Sequence, residues 1–290
     1  MMETRISSAN QEIIIGGGRP TVLIGERINP TGRKKLAETM CSDDLDVVRR
    51  DAVAQVEAGA AVIDVNAGVP GVNEVELFPK VVQAAIEAVD APLSLDSPNP
   101  EAMAAALKVY KGKPLINSVT GDEESMQAVL PLVKEYGVVV VALLQGDDGI
   151  APDPEGRVAV ARKLIDRAGS MGIPIEDLVI DCMAMTVGAD HKAASVTLET
   201  MRCLRDEYGV NLVLGVSNVS FGLPNRATIH NAFIALAIEA GATCLITNAS
   251  HVRSSVLPAD LVLARDEYAT RYITDYRKRI KEQEAAQAVG

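Results

Sequence analysis

Eight short runs dense in β-branched and apolar residues recur along the chain, and amphipathic stretches of helical length separate them. The runs are TVLIGERI from Thr21, AAVIDVN from Ala60, PLSLDS from Pro92, PLINSV from Pro114, GVVVVALL from Gly137, LVIDCM from Leu178, NLVLGVSN from Asn211 and ATCLITNA from Ala242. They are apolar on both faces. A strand can be so only where both faces are covered, as in a parallel sheet with a packed interior on one side and helices on the other. The separating stretches predict helices over 44–59, 72–89, 99–110, 123–136, 154–171, 196–208 and 226–240, with a last one after Pro258. Gly59, Gly137, Gly172, Gly209 and Gly241 stand where a left-handed C-terminal cap suits glycine. Eight strands, each followed by a helix, is the arithmetic of a single (β/α)8 TIM barrel in the α/β class. An open doubly wound sheet would need a glycine-rich phosphate turn after its first strand. The glycines at 16–18 instead precede the strand at Thr21 and read as a turn.

No linker rich in Pro, Gly or Ser divides the 290 residues. Residues 1–20 read as an N-terminal hairpin closing the barrel floor, 21–280 as the barrel, and 281–290 as a charged, frayed tail. A hydrophobic share of 48% and a charged share of 23% suit a large buried core and exclude a disordered or fibrous chain. The net charge of −11 opposes a grip on phosphate backbones or anionic lipid, so neither nucleic acid nor membrane is an expected partner. The longest apolar run, Gly137 to Leu144, is far short of the roughly 20 residues that cross a bilayer, and the first twenty residues carry no signal-peptide pattern. A cytoplasmic protein is expected. Cys41, Cys182, Cys203 and Cys244 stand apart and read as reduced thiols. His191, His230 and His251 show no metal-binding spacing, so no protein-bound metal is expected.

In such barrels chemistry gathers at the C-terminal ends of the strands. The residues there are Glu26, Arg27 and Asn29, then Asp64 and Asn66, Asp96, Asn117, Gln145, Asp181, Ser217 with Asn218 on the seventh strand, and Asn248. Any one of them could merely cap a helix or hold a loop. Together they put acids and amides, with almost no histidine, lysine or cysteine, at one level of the barrel. That set suits recognition by hydrogen bonds more than nucleophilic attack. Enclosed carboxylates such as Asp96 and Asp181 need donors, and amides such as Asn117 and Asn218 can donate and accept. The expected ligand is a flat, donor-rich heterocycle, pterin or purine.

The segments GERINPTGRKK from Gly25, DVNAG from Asp64, LSLDS from Leu93, INSV from Ile116, VIDC from Val179 and GVSNVSFGLPNR from Gly215 carry a resemblance. From Thr21 to about Arg277 the chain resembles the methyltetrahydrofolate-binding barrels of corrinoid-dependent methyltransferases, which include the folate domain of cobalamin-dependent methionine synthase. The resemblance implies a barrel of the pterin-binding, dihydropteroate synthase-like type. It implies transfer of a methyl group between N5 of tetrahydrofolate, or 5-methyltetrahydrofolate, and the cobalt of a corrinoid. It further implies that Asp96, Asn117 and Asp181 hold the pterin edge, that Asn218 approaches N5, and that Asp181 and Asn218 are catalytic. Gly215 and Ser217 would line the pterin, Asp64 and Asn66 would form a polar pair, and Glu26 and Arg226 would lie near the folate. Relatives often carry Gln where this chain has Phe221.

No DxHxxG cobalamin motif occurs, so a separate corrinoid protein is the implied partner. Arg33 to Lys35 and Asp147 to Asp148 are candidate contacts for it, and a homodimer is expected from the resemblance. Two alternatives stand. A dihydropteroate synthase-like enzyme would lean on a lysine in the seventh-strand motif, where this chain has GVSNVS. A noncatalytic folate-binding subunit would bind the pterin without transferring its methyl group.

Overall fold

A computed structural model describes residues 1–42 and 44–289, the side chains of 286–289 excepted. Two strands, β1 (Glu3–Ser7) and β2 (Glu12–Gly16), pair antiparallel as a hairpin. Eight more, β3 (Val22–Ile28), β4 (Val62–Asn66), β5 (Leu93–Asp96), β6 (Leu115–Thr120), β7 (Val139–Leu143), β8 (Leu178–Asp181), β9 (Asn211–Gly215) and β10 (Ala242–Thr247), form a closed parallel barrel in which β10 pairs with β3. Seven lie within the apolar runs of the sequence, and β6 passes the end of its run by one residue, Thr120. Around them lie α1 (Lys34–Cys41), α2 (Asp46–Glu57), α3 (Glu74–Ala88), α4 (Pro100–Val109), α5 (Glu123–Tyr136), α6 (Pro154–Ser170), α7 (Ala193–Tyr208), α8 (Arg226–Ala240), α9 (Ala249–Val262) and α10 (Thr270–Val289). No described helix is long and apolar enough to cross a membrane.

Strand side chains alternate between two cores. Leu23, Ile63, Val65, Leu95, Ile116, Val140, Ile180 and Leu214 face the helix layer. Val22, Ile24, Val62, Leu115, Val139, Val141, Val179, Val213 and Cys244 pack in the interior, where Ile6 and Ile15 of the hairpin join them from below. Asn211 fastens the hairpin there, its Nδ2 donating to Thr4 Oγ1 at 2.9 Å and to the Met2 and Ile15 carbonyls at 3.2 Å each. Gly16 passes so close that a Cβ would lie 2.1 Å from Asn211 Oδ1, and its φ of +87° also favours glycine.

Four features depart from the sequence reading. α1 occupies a stretch read as loop, so Lys34 and Lys35 open a helix; its buried stripe, Leu36 and Met40, spans little more than one turn. α9 starts nine residues before Pro258 and runs through it. Asn248 caps that helix by accepting from Ser250 N–H, and an internal proline forfeits only one helical hydrogen bond. α10 continues to Val289, through the segment read as a frayed tail. That segment is rich in strong helix formers, and Lys278 pairs with Glu282 one turn on at 3.8 Å. Finally, β9 stops at Gly215, so Ser217 and Asn218 belong to a 3₁₀ turn, Val216–Ser220, and not to the strand. Val216 and Val219, three apart, are buried together and draw the backbone into that turn.

Candidate functional site

The period of two that buries Val62, Leu115, Val179 and Val213 inside the barrel brings Asp64 and Asn66, Asn117, Asp181 and Gly215 onto the same interior face, nearer the strands' C-terminal ends. Glu26 follows Val22 and Ile24 in the same way. Ser94 and Asp96 enter through their bonds to this set. Ser94 Oγ donates to Asp64 Oδ1 at 2.6 Å, Asn117 Nδ2 reaches the same oxygen at 3.3 Å, and Asn66 Nδ2 donates to Asp96 Oδ2 at 3.0 Å. Register places Asn66 beside Asp96 and Asp96 beside Asn117, so neighbouring strands set the order of this network.

Electrostatics divide the acids. Burial, with the charge of Asp96 next, pushes the Asp64 carboxyl well above the ordinary range. Asp96 is pushed up to about 6, first by burial, while the amide of Asn66 and a hydrogen bond with Asp64 pull the other way. Asp181 is likewise raised to about 6 by burial, against N–H donation from Met183 and Gly215 and the charge of Arg157. Its Oδ1 accepts from Met183 N–H at 2.7 Å. Glu26, half-buried, is raised by burial and accepts from Ser217 Oγ at 3.4 Å. The mouth thus holds four carboxyl groups that give up protons less readily than exposed ones.

Two cavities open around this ring. One, of about 450 Å³, is lined by Asp96, Asn117, Thr120, Asp122 and Leu143 among others. A second, of about 410 Å³, is lined by Glu26, Arg27, Ser217, Arg226, His230, Asn248 and His251 among others. Both volumes are of the size that takes a small ligand. The expected site residues therefore divide: Asp96 and Asn117 line the first cavity, Glu26, Ser217 and Arg226 line the second, and Asp64, Asn66, Asp181, Gly215 and Asn218 line neither of the two. Asn218 lies exposed on the 3₁₀ turn, and its amide makes no hydrogen bond among the described residues. Arg226 donates to the Ser217 carbonyl at 2.6 Å and to Ser220 Oγ at 3.0 Å, and its guanidinium lies 5.8 Å from the centre of the Phe221 ring. Phe221 itself is 69% exposed.

The expectation that histidine is missing from these walls is corrected. His230 follows Arg226 by four residues on α8, and His251 follows Asn248 by three, so each shares a helix face with a residue already singled out. Helix periodicity, more than strand ends, carried that signal. Ser94 was also missed, although it stands two residues before Asp96 and hence on the same face. Other strand-end residues have local work. Asn29 Oδ1 holds Thr31 N–H, and Asn248 is the cap of α9. Of the proposed docking loops, Arg33 pairs with Asp51 at 2.6 Å and Asp147 with Lys163 at 2.9 Å.

Residues 25–248 match the family described as pterin binding enzyme. A methylcorrinoid:tetrahydrofolate methyltransferase of Eubacterium limosum is 28% identical over 265 residues, 89% of this chain and 96% of that protein. A methionine synthase of Mycobacterium leprae (strain TN) is 32% identical over 248 residues, 81% of this chain but only 21% of that longer protein. In structure, a Xanthomonas albilineans dihydropteroate synthase with 4-aminobenzoic acid superposes with a TM-score of 0.69, covering 91% of this chain and 99% of that one at 20% identity. That likeness is one of fold.

Proposed function

The chain belongs to the pterin-binding enzymes, and from that premise we propose that it is a methyltransferase moving a methyl group between N5 of tetrahydrofolate and the cobalt of a corrinoid carried by a separate protein. One observation carries the reading: the relative named for exchange between methylcorrinoid and tetrahydrofolate is matched over nearly its whole length. The chemistry of the mouth supports it. None of the described residues lining either cavity is a lysine, the group a dihydropteroate synthase-like reaction would lean on at the seventh strand.

In this reading Asp96, Asn117 and Asp181 hold the pterin. A pterin edge offers an amino group and ring N–H donors, and the two buried acids meet them as acceptors. Ionising Asp96 and Asp181 costs less once those donors arrive, so binding draws on strain already stored in the site. Asn66 and Ser94 keep the two strand acids aligned. Gly215 and Ser217 line the pterin, and Glu26 and Arg226 lie near the rest of the folate.

When the methyl group departs, the C–N electron pair stays on N5, and a donor at that nitrogen stabilises it. Asn218, whose amide is uncommitted, supplies the donor, with water and the neighbouring acids as the proton source. In the reverse direction the lone pair of N5 forms the new bond to carbon, and the same amide releases it. The corrinoid comes on its own protein to the open mouth. A homodimer and a cytoplasmic location belong to the same proposal.

The test is to mix the protein with 5-methyltetrahydrofolate and a Co(I) corrinoid protein and follow the cobalt absorption. Conversion to the methylated spectrum at a rate proportional to enzyme is expected. Tight folate binding without conversion would replace the enzyme with a folate-binding subunit, and formation of pteroate from a pterin and 4-aminobenzoate would replace it with a synthase.

A further inference from the structure

Arg157 is 3% exposed, yet among the described residues it forms no ion pair. Its guanidinium is spent on carbonyls and a hydroxyl. Nε donates to the Ala151 carbonyl at 3.0 Å, and Nη1 donates to the Cys182 and Met183 carbonyls at 2.8 and 2.9 Å and to Thr197 Oγ1 at 3.2 Å. Thr197 Oγ1 shares its one proton between the same Met183 carbonyl and the Ala193 carbonyl, each at 3.1 Å. A buried arginine committed to main-chain oxygens is an expensive way to hold a loop, because a neutral donor would avoid the cost of burying charge.

What it holds explains the expense. Met183 has a φ of +60°, the left-handed region that residues with side chains seldom adopt. In that conformation its N–H points back to Asp181 Oδ1 at 2.7 Å, while its carbonyl points to Arg157 and Thr197. One residue thus links the arginine to the carboxylate. We propose that Arg157 is the positioning residue of the Asp181 carboxylate: it locks Met183 in the conformation that aims a main-chain N–H at Asp181, and it supplies the positive charge on that side of the barrel.

The titratable groups that bear on Asp181 are Arg157 from α6, Cys182 beside it and Cys244 from β10. Burial pushes both thiols upward, so both stay neutral and the arginine is the charge that acts. Burial also lowers the Arg157 guanidinium, with Cys182, Asp181 and Asp153 opposing it. A guanidinium keeps its proton under that pressure where an ammonium readily yields it.

The inference rests on the reading of Asp181 as a pterin contact, and its first measurement needs no folate. Carboxyl-carbon NMR of the unliganded full chain, labelled in aspartate and assigned with Asp181→Asn and Asp96→Asn, should show midpoints at about 6 for both groups. In Arg157→Met the Asp181 midpoint should rise by at least about half a unit while that of Asp96 stays, and the Kd for 5-methyltetrahydrofolate at pH 7 should rise about tenfold or more. An unmoved Asp181 midpoint in folded Arg157→Met would overturn the proposal, as would equal movement of both midpoints. If Arg157→Met does not fold, Thr197→Val decides. It removes the second donor to the Met183 carbonyl and keeps the charge, so the midpoint should move the same way by less; no change in midpoint or affinity would overturn the proposal. Should wild-type protein take up no 5-methyltetrahydrofolate while the midpoints behave as expected, the folate reading fails and the positioning role stands.

Discussion

Asp96 carries a charge that the folded chain accommodates poorly. Its carboxyl ionises at about 6 in the fold against about 4 in an open chain, so between those values the folded state holds a proton that the unfolded state has released. Stability therefore falls as pH climbs from about 4 to about 6 and changes little above, where both states are ionised. Asp96→Asn removes that penalty and gives Asp64 a permanent donor. Urea unfolding should find the unliganded variant more stable than wild type by about 1–3 kcal/mol at pH 7.5, with the gap closing by pH 4.5, while pterin binding is lost. A gap that is equal at both pH values would show that burial does not load this carboxyl. Asn218 is the contrasting residue, because among the described residues none hydrogen-bonds its amide. Under the proposed role, Asn218→Ala should lower single-turnover methyl transfer by about 10²-fold or more and change 5-methyltetrahydrofolate affinity by less than about fivefold, since a bond offered to N5 would matter most as the C–N bond breaks. Equal losses in rate and affinity would make Asn218 a binding contact only. The acids and amides of this site were legible in the sequence because strand alternation carries Asp64, Asn117 and Asp181 inward above Val62, Leu115 and Val179, and Asp96 above Ser94. Asn248 looked the same in sequence and is a helix cap, a difference that only the direction of its side chain decides.

At the scale of elements, the strands were the most legible parts, since an apolar run covered on both faces has few other places to go. Helix boundaries were harder. Pro258 reads as the residue after which the last helix begins, but α9 already runs through it: with Asn248 as its cap and the buried Val252, Val256 and Leu257 anchoring it, one missing hydrogen bond does not end the helix. α1 buries only Leu36 and Met40, too little to stand out from a loop in sequence. Caps were readable where a short polar residue precedes a helical pattern. Asn99 is the clearest, its Oδ1 accepting from Glu101 N–H at 3.0 Å and Ala102 N–H at 3.4 Å, with Pro100 at the first helical position. Asn99→Ala should cost about 1 kcal/mol in urea unfolding at pH 7.5. Because Asn99 also lies near Asp96 in the chain, folate affinity of the folded variant should be measured too. It should hold within about twofold, since the carboxylate is set by β5 and Asn66 and not by the cap.

For the molecule as a whole, the barrel keeps stability and chemistry at opposite ends. The floor is apolar, with Ile6 and Ile15 filling the end of the interior that Val22, Val62, Leu115, Val139, Val179 and Val213 leave open. The mouth is polar and bears the buried acids, whose ionisation works against folding. The hairpin adds to the apolar end, joined to the barrel through Asn211 and Gly16. Each isoleucine is fully buried, so truncation to alanine should cost about 2–5 kcal/mol, and the pair should fall short of the sum because both face one shared cavity. Urea unfolding of Ile6→Ala, Ile15→Ala and the double variant measures this. The separation makes a second demand. At temperatures where each variant remains folded, the Kd for 5-methyltetrahydrofolate and the single-turnover rate should match wild type within about twofold, because no atom of the mouth depends on hairpin packing for its position. A loss of affinity in the folded single variants would mean that the floor also tunes the ring of acids above it, through the β-branched layer that lies between them.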